Sequence, residues 1–284
     1  MNLITIFSRF PDQESCIEHL ECLRWAGDPF CPLCGDHDVA RKAEGERVGR
    51  WNCHGCKSSF NVLSKTIFQK TKIPLQKWFL AIGLMVHAKK SLSSHQLARD
   101  LEITQPTAWY MQHRIRAAME TDESDLLHGI VEADETYVGG RPRYKSKNNK
   151  RGRGTPKTPV IGAIQRGGEV RAEVADDLSG KGVSAFIGRV VDTSIALLVT
   201  DEYKAYNALD MPHVVIKHAE SYVQGDVHTN TVEGVWALLK RAWYGSHHHY
   251  SRRYCPLFVA EACWKYNHRK DKDAFNGFLK SCFA

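Results

Sequence analysis

Two matched cysteine pairs, Cys31-x-x-Cys34 and Cys53-x-x-Cys56, are the feature that most constrains how this chain can fold. A Cys-x-x-Cys turn puts two thiolates on one side of the backbone. Two such turns facing each other close a tetrahedron of metal–sulfur bonds about 2.3 Å long. The 18 residues between the pairs suit a small β-hairpin, and Pro32, Gly35 and Gly55 let the backbone bend around the metal. Four thiolates leave no open coordination position, so the spacing predicts one structural Zn²⁺ held by Cys31, Cys34, Cys53 and Cys56. A thioredoxin-like redox pair would need a βαβ context that this segment lacks. The other five cysteines (Cys16, Cys22, Cys255, Cys263 and Cys282) show no ligand spacing and read as small apolar or surface residues.

Nine cysteines without a visible export signal point to a reducing compartment, where paired cysteines mean metal or redox chemistry rather than a disulfide frame. Met1 to Phe10 has one late Arg, a brief apolar run and no small-residue cleavage site, unlike a signal peptide. The most apolar stretch, Trp78 to Val86, is far shorter than the roughly 20 residues that cross a bilayer, and it reads as a buried helix. The expectation is therefore a cytoplasmic protein with no membrane partner. Net charge is +7, which favours a polyanionic partner only if the charge is clustered. It is: residues 139–157 carry eight Lys or Arg, among them Arg141, Arg143, Lys145 and Lys147, and no acid. Gly, Pro and Asn richness argues against a packed element there, and the single sign favours contact with a phosphate backbone.

Periodicity divides the chain into three parts: 1–70, an N-terminal helix and zinc ribbon; 71–122, a helical region; and 128–284, an α/β domain. Residues 12–26 and 71–87 have helical spacing, with Pro74 in the first turn of the second helix. In residues 91–119, Ser93 or Ser94 can cap a short helix ending near Asp100. A turn through Leu101 to Thr104 then leads into a longer helix starting at Gln105-Pro106. This is helix-turn-helix patterning. Its turn commonly carries Gly where this chain has Glu102, because that position often requires positive φ. A plain helical hairpin is the alternative. On the second helix, Gln105, Thr107, Gln112 and Arg116 are the candidates for reaching bases or phosphates.

Beyond residue 128, strands are expected at 130–138, 159–165, 170–174, 195–200 and 213–217, and helices at 183–191, 230–243 and 256–267. Meandering strands followed by β-α-β alternation indicate a mixed sheet covered by helices. On those elements three carboxylates stand out. Asp134 lies in the first strand, Asp201 just past a buried strand, and Glu233 near the start of a helix. Lys240 falls two helical turns later, so Glu233, Trp236 and Lys240 share one stripe. Phosphodiester chemistry with two cations about 4 Å apart needs such a set of acids. Glu135, Glu202, Asp176 and Asp177 also border strands. The run Ser246 to Tyr250 offers a His-x-His pair beside a Tyr, but it follows a Gly-Ser turn and reads as a loop.

The pieces CPLCG (31–35), LARDLEITQPTAW (97–109), ADETYVGG (133–140), TDEYKAY (200–206) and HTNTVEGVWALLKR (228–241) extend over nearly the whole chain. In them the sequence resembles bacterial insertion-sequence transposases of the DDE type that carry an N-terminal zinc ribbon. The resemblance implies an RNase H-like catalytic core, two Mg²⁺ or Mn²⁺ ions per active site, and catalysis by Asp134, Asp201 and Glu233. It implies double-stranded DNA as partner, both element ends and target, with a homo-oligomer assembled on it in the nucleoid. In that family the glutamate position is sometimes Asn or His, which leaves Asn230 and His228 beside Glu233, while Asn230 can also serve as a helix cap. The rival reading is a DNA-binding regulator whose catalytic core is inactive.

Overall fold

Most helices in the N-terminal part start where a side chain stands in for a missing backbone acceptor. Asn2 caps α1 (Leu3–Arg9), Asp12 caps α2 (Gln13–Trp25), and α3 (Leu75–His87) starts directly after Pro74. Between α2 and α3 lie three short antiparallel strands, β1 (Val39–Arg41), β2 (Arg50–Cys53) and β3 (Ser59–Asn61), with Trp51 of β2 opposite Phe60 of β3. Ser93 caps α4 (Ser94–Asp100) and Thr104 caps α5 (Gln105–Ala117). Each such side-chain cap satisfies an amide that the helix itself leaves open.

The turn between α4 and α5 meets the helix-turn-helix expectation. Glu102 sits at φ 50°, the left-handed region that glycine usually supplies. For a residue with a Cβ this costs roughly 1–2 kcal/mol. The strain is held by packing on both sides, with Leu97, Leu101, Ala108, Met111 and Ile115 buried. The Ile103 amide also bonds to the Ala98 carbonyl at 3.0 Å.

The second part is built on a five-stranded sheet. Its strands are β4 (Ile130–Val138), β5 (Thr158–Gln165), β6 (Val170–Val174), β7 (Leu197–Thr200) and β8 (His213–Val215), in the order β6-β5-β4-β7-β8. β4 pairs antiparallel with β5 and parallel with β7. The mixed sheet, central β4 and flanking helices are the mixed α/β arrangement expected from the sequence. β7 starts at Leu197, two residues later than expected, because Asp192 and Ser194 form a turn that leaves Ile195 exposed.

Helix α6 (Gly180–Val190) presents Val183, Phe186, Ile187 and Val190 to one sheet face, joining Val131 and Ala133 of β4. On the other face, α7 (Asn230–Ala242) and α8 (Cys255–Asn267) bury Val232, Val235, Trp236, Leu239 and Val259. Each such apolar side chain is worth roughly 1.5–3 kcal/mol when fully buried. Between α7 and α8 the backbone runs through a π-helical turn, Trp243–His247, before His248 turns left-handed at φ 59°. The Ser246–Tyr250 run is therefore partly a continuation of α7 and not a central strand. Tyr250 is buried and stacked on Phe258, which makes it a core residue. The last helix is α9 (Ala274–Ser281).

The computed structural model describes residues 1–42, 49–120, 125–140, 155, 157–216 and 229–283. Two units divide the chain: Met1–Met119 with Asp271–Ala284, and Glu120–Lys270. The second unit thus ends at Lys270, and α9, which sequence analysis attached to the catalytic segment, packs with α2 and α3. Among the described residues, no helix is long and apolar enough to cross a membrane.

Candidate active site and metal centre

In the first unit, Cys31, Cys34, Cys53 and Cys56 each offer a sulfur within 4.8 Å of the others. The Cys31–Cys56 and Cys34–Cys53 sulfur separations are 3.8 and 3.6 Å. Four sulfurs at the corners of a tetrahedron with bonds of about 2.3 Å lie about 3.8 Å apart, so the donor set fits Zn²⁺. Both knuckles end on a left-handed residue directly after their second cysteine, Gly35 at φ 84° and Lys57 at φ 57°. Gly55 serves differently: a Cβ there would collide with the Asp36 carboxylate of the opposite knuckle. Hydrogen bonds from the Ser58 hydroxyl and amide pull the Cys56 thiol down to about 6, which favours the thiolate a metal requires.

In the second unit, the parallel register of β4 and β7 pairs Glu132 with Val199. Two residues further along each chain stand Asp134 and Asp201, so neighbouring strands deliver both acids to the same place. Oxygens of Asp134, Glu135 and Asp201 lie within 4.8 Å of one another. Glu135 was noted in the sequence only as a neighbour, and it joins this cluster directly. Glu233 is exposed on the first turn of α7, accepts a bond from the Thr229 hydroxyl at 3.2 Å, and stands outside the cluster. Lys240 follows on the same helix. Desolvation lowers its pKa, while the charges of Asp134 and Glu233 oppose that shift.

Asp134 is firmly oriented. Its Oδ2 accepts a bond from the indole nitrogen of Trp236 at 3.0 Å, and its Oδ1 accepts from the Glu135 amide at 2.8 Å. Burial, reinforced by the charges of Glu135 and Asp201, lifts its pKa to about 7. Carboxylates crowded in this way repel one another until a cation neutralises them. Oxygen donors at this spacing suit a hard divalent cation such as Mg²⁺ or Mn²⁺. The indole reaches Asp134 because Gly162, its register partner on β5, leaves room: a Cβ there would lie 2.5 Å from the Trp236 ring. Gly162→Ala should therefore push Trp236 off Asp134 and weaken Mn²⁺ binding about tenfold, the lower end for losing an outer-shell partner. Unchanged Mn²⁺ affinity by isothermal titration would refute this.

The other sequence-derived site residues divide sharply. Gln112 and Arg116 are each only 1% exposed. Gln112 donates to the Leu92 carbonyl at 2.8 Å, so both lie on the inner face of α5 and are corrected here from DNA-reading to packing residues. Gln105 bonds to the Ser94 hydroxyl, and Thr107 shares a bond with Thr104. Thr107 also lines a groove of about 370 Å³ with Lys70, Lys72, Pro106 and Tyr110. The exposed face of α5 carries Trp109 and Tyr110, which sequence analysis did not select. Helical phase was the available signal: 112 and 116 fall in line with the buried Ala108 and Ile115, whereas 109 and 110 do not. Asn230 opens α7 without capping it. Arg141, Arg143, Lys145, Lys147 and His228 lie outside the described residues.

Residues 126–267 match the family described as the ISXO2-like transposase domain, and residues 11–59 match the transposase zinc-ribbon domain. A curated relative, an uncharacterized protein in transposable element ISH50 of Halobacterium salinarum, is 29% identical over 255 residues, covering 84% of this chain and 85% of that protein. Among solved structures, the Mos1 strand transfer complex is similar at a TM-score of 0.30 and 13% identity, over 70% of this chain and 72% of that one. A pre-cleavage Mos1 transpososome is similar at 0.27 and 14% identity, over 99% and 96%. At these scores the two structures carry no argument about fold or function.

Proposed function

Because this chain belongs to the ISXO2-like transposase family, we propose that it is a DNA transposase that binds the ends of its insertion sequence, cuts them and joins them to target DNA. The observation that carries the reading is the convergence of Asp134, Asp201 and Glu135, with the Asp134 pKa raised to about 7 by burial and then by the charges of its neighbours. Such a site is poised for cations. Two divalent ions held by Asp134, Asp201 and Glu233, with Glu135 beside them, would activate an attacking oxygen and stabilise the leaving 3′ oxygen.

The chain's own groups have separate tasks. Trp236 and the Glu135 amide fix the rotamer of Asp134. Lys240 is the cation on the Glu233 stripe and is suited to holding a DNA phosphate beside the acids. In the first unit, we assign DNA reading to the outer face of α5, where Thr107, Trp109 and Tyr110 are accessible, and phosphate contact to Lys70 and Lys72 of the adjoining groove. The basic run 139–157 supports a polyanionic partner through its charge alone. The Zn²⁺ ribbon stiffens the N-terminal segment, and assembly around paired ends implies more than one copy on the DNA.

One assay tests the reading. The protein is incubated with duplex carrying the element's terminal repeats and Mg²⁺ or Mn²⁺, and the strands are sequenced. Nicks leaving a 3′-OH at the repeat and joined products are expected from the wild type, with neither from Asp201→Ala or Glu233→Ala at unchanged DNA affinity. Binding without any cleavage by the wild type would favour the rival reading, a DNA-binding regulator. In binding titrations on the same duplex at several salt concentrations, Lys70→Gln with Lys72→Gln should flatten the slope of log K against log[salt] by about 0.9 per lost phosphate contact. An unchanged slope would remove the groove from the interface.

A further inference from the structure

Among the described residues of the second unit, the most completely buried carboxylate has no role in the chemistry proposed above. Glu132 lies on β4, two residues before Asp134 and on the same side of the strand, with 0% exposure. Its Oε1 accepts from Arg166 Nε at 2.8 Å and from the Thr231 hydroxyl at 2.8 Å. Its Oε2 accepts from the backbone amides of Thr231 at 2.9 Å and Val232 at 3.1 Å. These four bonds take up about the full acceptor capacity of an ionised carboxylate.

The two amides belong to the first turn of α7, whose N-cap residue Thr229 makes no side-chain cap bond. The cap that α7 lacks locally is thus supplied across the sheet by Glu132. A negative charge at that position also complements the positive end of a 13-residue helix. Arg166 stands at the end of β5 and donates its own amide to the Ile130 carbonyl at 2.9 Å, so the cation is anchored to the start of β4. The next residue after Val232 is Glu233.

We infer that Glu132 is a positioning residue: a buried clamp, balanced by Arg166, that ties the first turn of α7 to β4 and so fixes where Glu233 stands and holds Trp236 on Asp134. The physical logic is one of lever arms. Asp134 and Asp201 are placed by the register of adjacent strands, which is stiff without help. Glu233 comes from a helix roughly a hundred residues away in sequence, and the clamp removes the helix's freedom to slide or rotate over the sheet. An apolar residue at 132 would pack, but it would leave two amides of α7 open. This inference rests on the proposed carboxylate site, and its test includes readouts that do not depend on DNA cleavage.

The test compares Glu132→Gln and the milder, near-isosteric Thr231→Val with the wild type, using the full chain. Three quantities are measured: Mn²⁺ affinity by electron paramagnetic resonance, hydrogen exchange of the α7 amides, and single-turnover cleavage at saturating DNA. Glu132→Gln should lower Mn²⁺ affinity or the cleavage rate 10–100-fold, the range for outer-shell partners. Thr231→Val, which deletes one hydrogen bond, should lower the rate about fivefold. In Glu132→Gln the first-turn amides of α7 should exchange faster while DNA affinity stays the same. Adding Arg166→Gln to Glu132→Gln removes the cation that the lost carboxylate balanced and should restore part of the protection. If Glu132→Gln fails to fold, Thr231→Val decides alone. The clamp is refuted if the folded variants keep wild-type Mn²⁺ affinity, exchange and rate. A wild type that binds Mn²⁺ without cutting DNA would overturn the proposed function and leave the clamp standing on exchange and affinity.

Discussion

Asp134→Asn will abolish strand cleavage and, in the absence of metal, will make the protein more stable above pH 7 than the wild type. The loss of activity should reach a thousandfold or more, since metal assistance supplies several kcal/mol and each 1.4 kcal/mol is about tenfold. The gain in stability follows from the pKa. Burial, then the charges of Glu135 and Asp201, raise Asp134 from its ordinary 3.8 to about 7. Below about pH 4 both folded and unfolded chains carry the proton, and the contribution to stability is fully present. Between about 4 and 7 the folded chain keeps a proton that the unfolded chain has released, so stability falls as pH rises; above about 7 the loss is complete. At roughly 1.4 kcal/mol per pKa unit the span is at most about 4 kcal/mol. Asparagine has no proton to release and lacks that slope. Denaturant titrations at pH 5 and 8 in chelator, read as the difference between variant and wild type, measure it. Equal slopes would show that burial and the neighbouring acids do not raise the Asp134 pKa. Adding Mg²⁺ should reverse the order, because only the wild type then gains binding free energy.

Removal of zinc will unfold the N-terminal ribbon while the five-stranded sheet persists. β1, β2 and β3 have only three or four residues each, and their apolar support is a small cluster in which Trp25 meets Trp51 and Phe60 edge-on. Strands of that size do not hold together unaided. Zinc binding to such sites contributes apparent free energies of about 10–16 kcal/mol, which here is folding energy. Chelation, or Cys31→Ser, should expose the amides of residues 50–61 to rapid hydrogen exchange. The β4–β5 amides, which belong to a separate unit with its own two apolar layers, should remain protected. Elemental analysis should find one zinc per chain. Protein purified without chelators that contains none, or a ribbon still protected after chelation, would rule the site out.

Local chemistry made much of this legible before any tertiary structure. The bounds of β4 and β6 follow from runs of β-forming residues between turns. The starts of α4 and α5 follow from Ser93 or Ser94 and from Pro106, because caps and a first-turn proline act within a few residues. The four thiolates were readable from spacing, since a Cys-x-x-Cys turn closes on itself. Asp134 and Asp201 were placed by the strands that carry them. Glu102, in place of the usual glycine, spoke against a helix-turn-helix in the sequence, yet it adopts the left-handed conformation.

What only the tertiary structure decided are the questions of facing and docking. Gln112 and Arg116 have the chemistry of DNA contacts, but the phase of α5 buries them, and phase relative to a neighbour is not a property of one helix. Glu135 points to the opposite strand face from Asp134 by simple alternation, yet the packed site brings its carboxylate within reach. The role of Glu132 depends on a helix a hundred residues away. Its only trace in the sequence is a polar face, Glu132, Asp134 and Thr136, alternating with the apolar Val131 and Ala133 on a central strand. Sequence spacing determined which groups this protein possesses and on which elements they ride. Packing across the sheet determined which of them meet, because the burial free energy that selects a partner exists only once both surfaces are together.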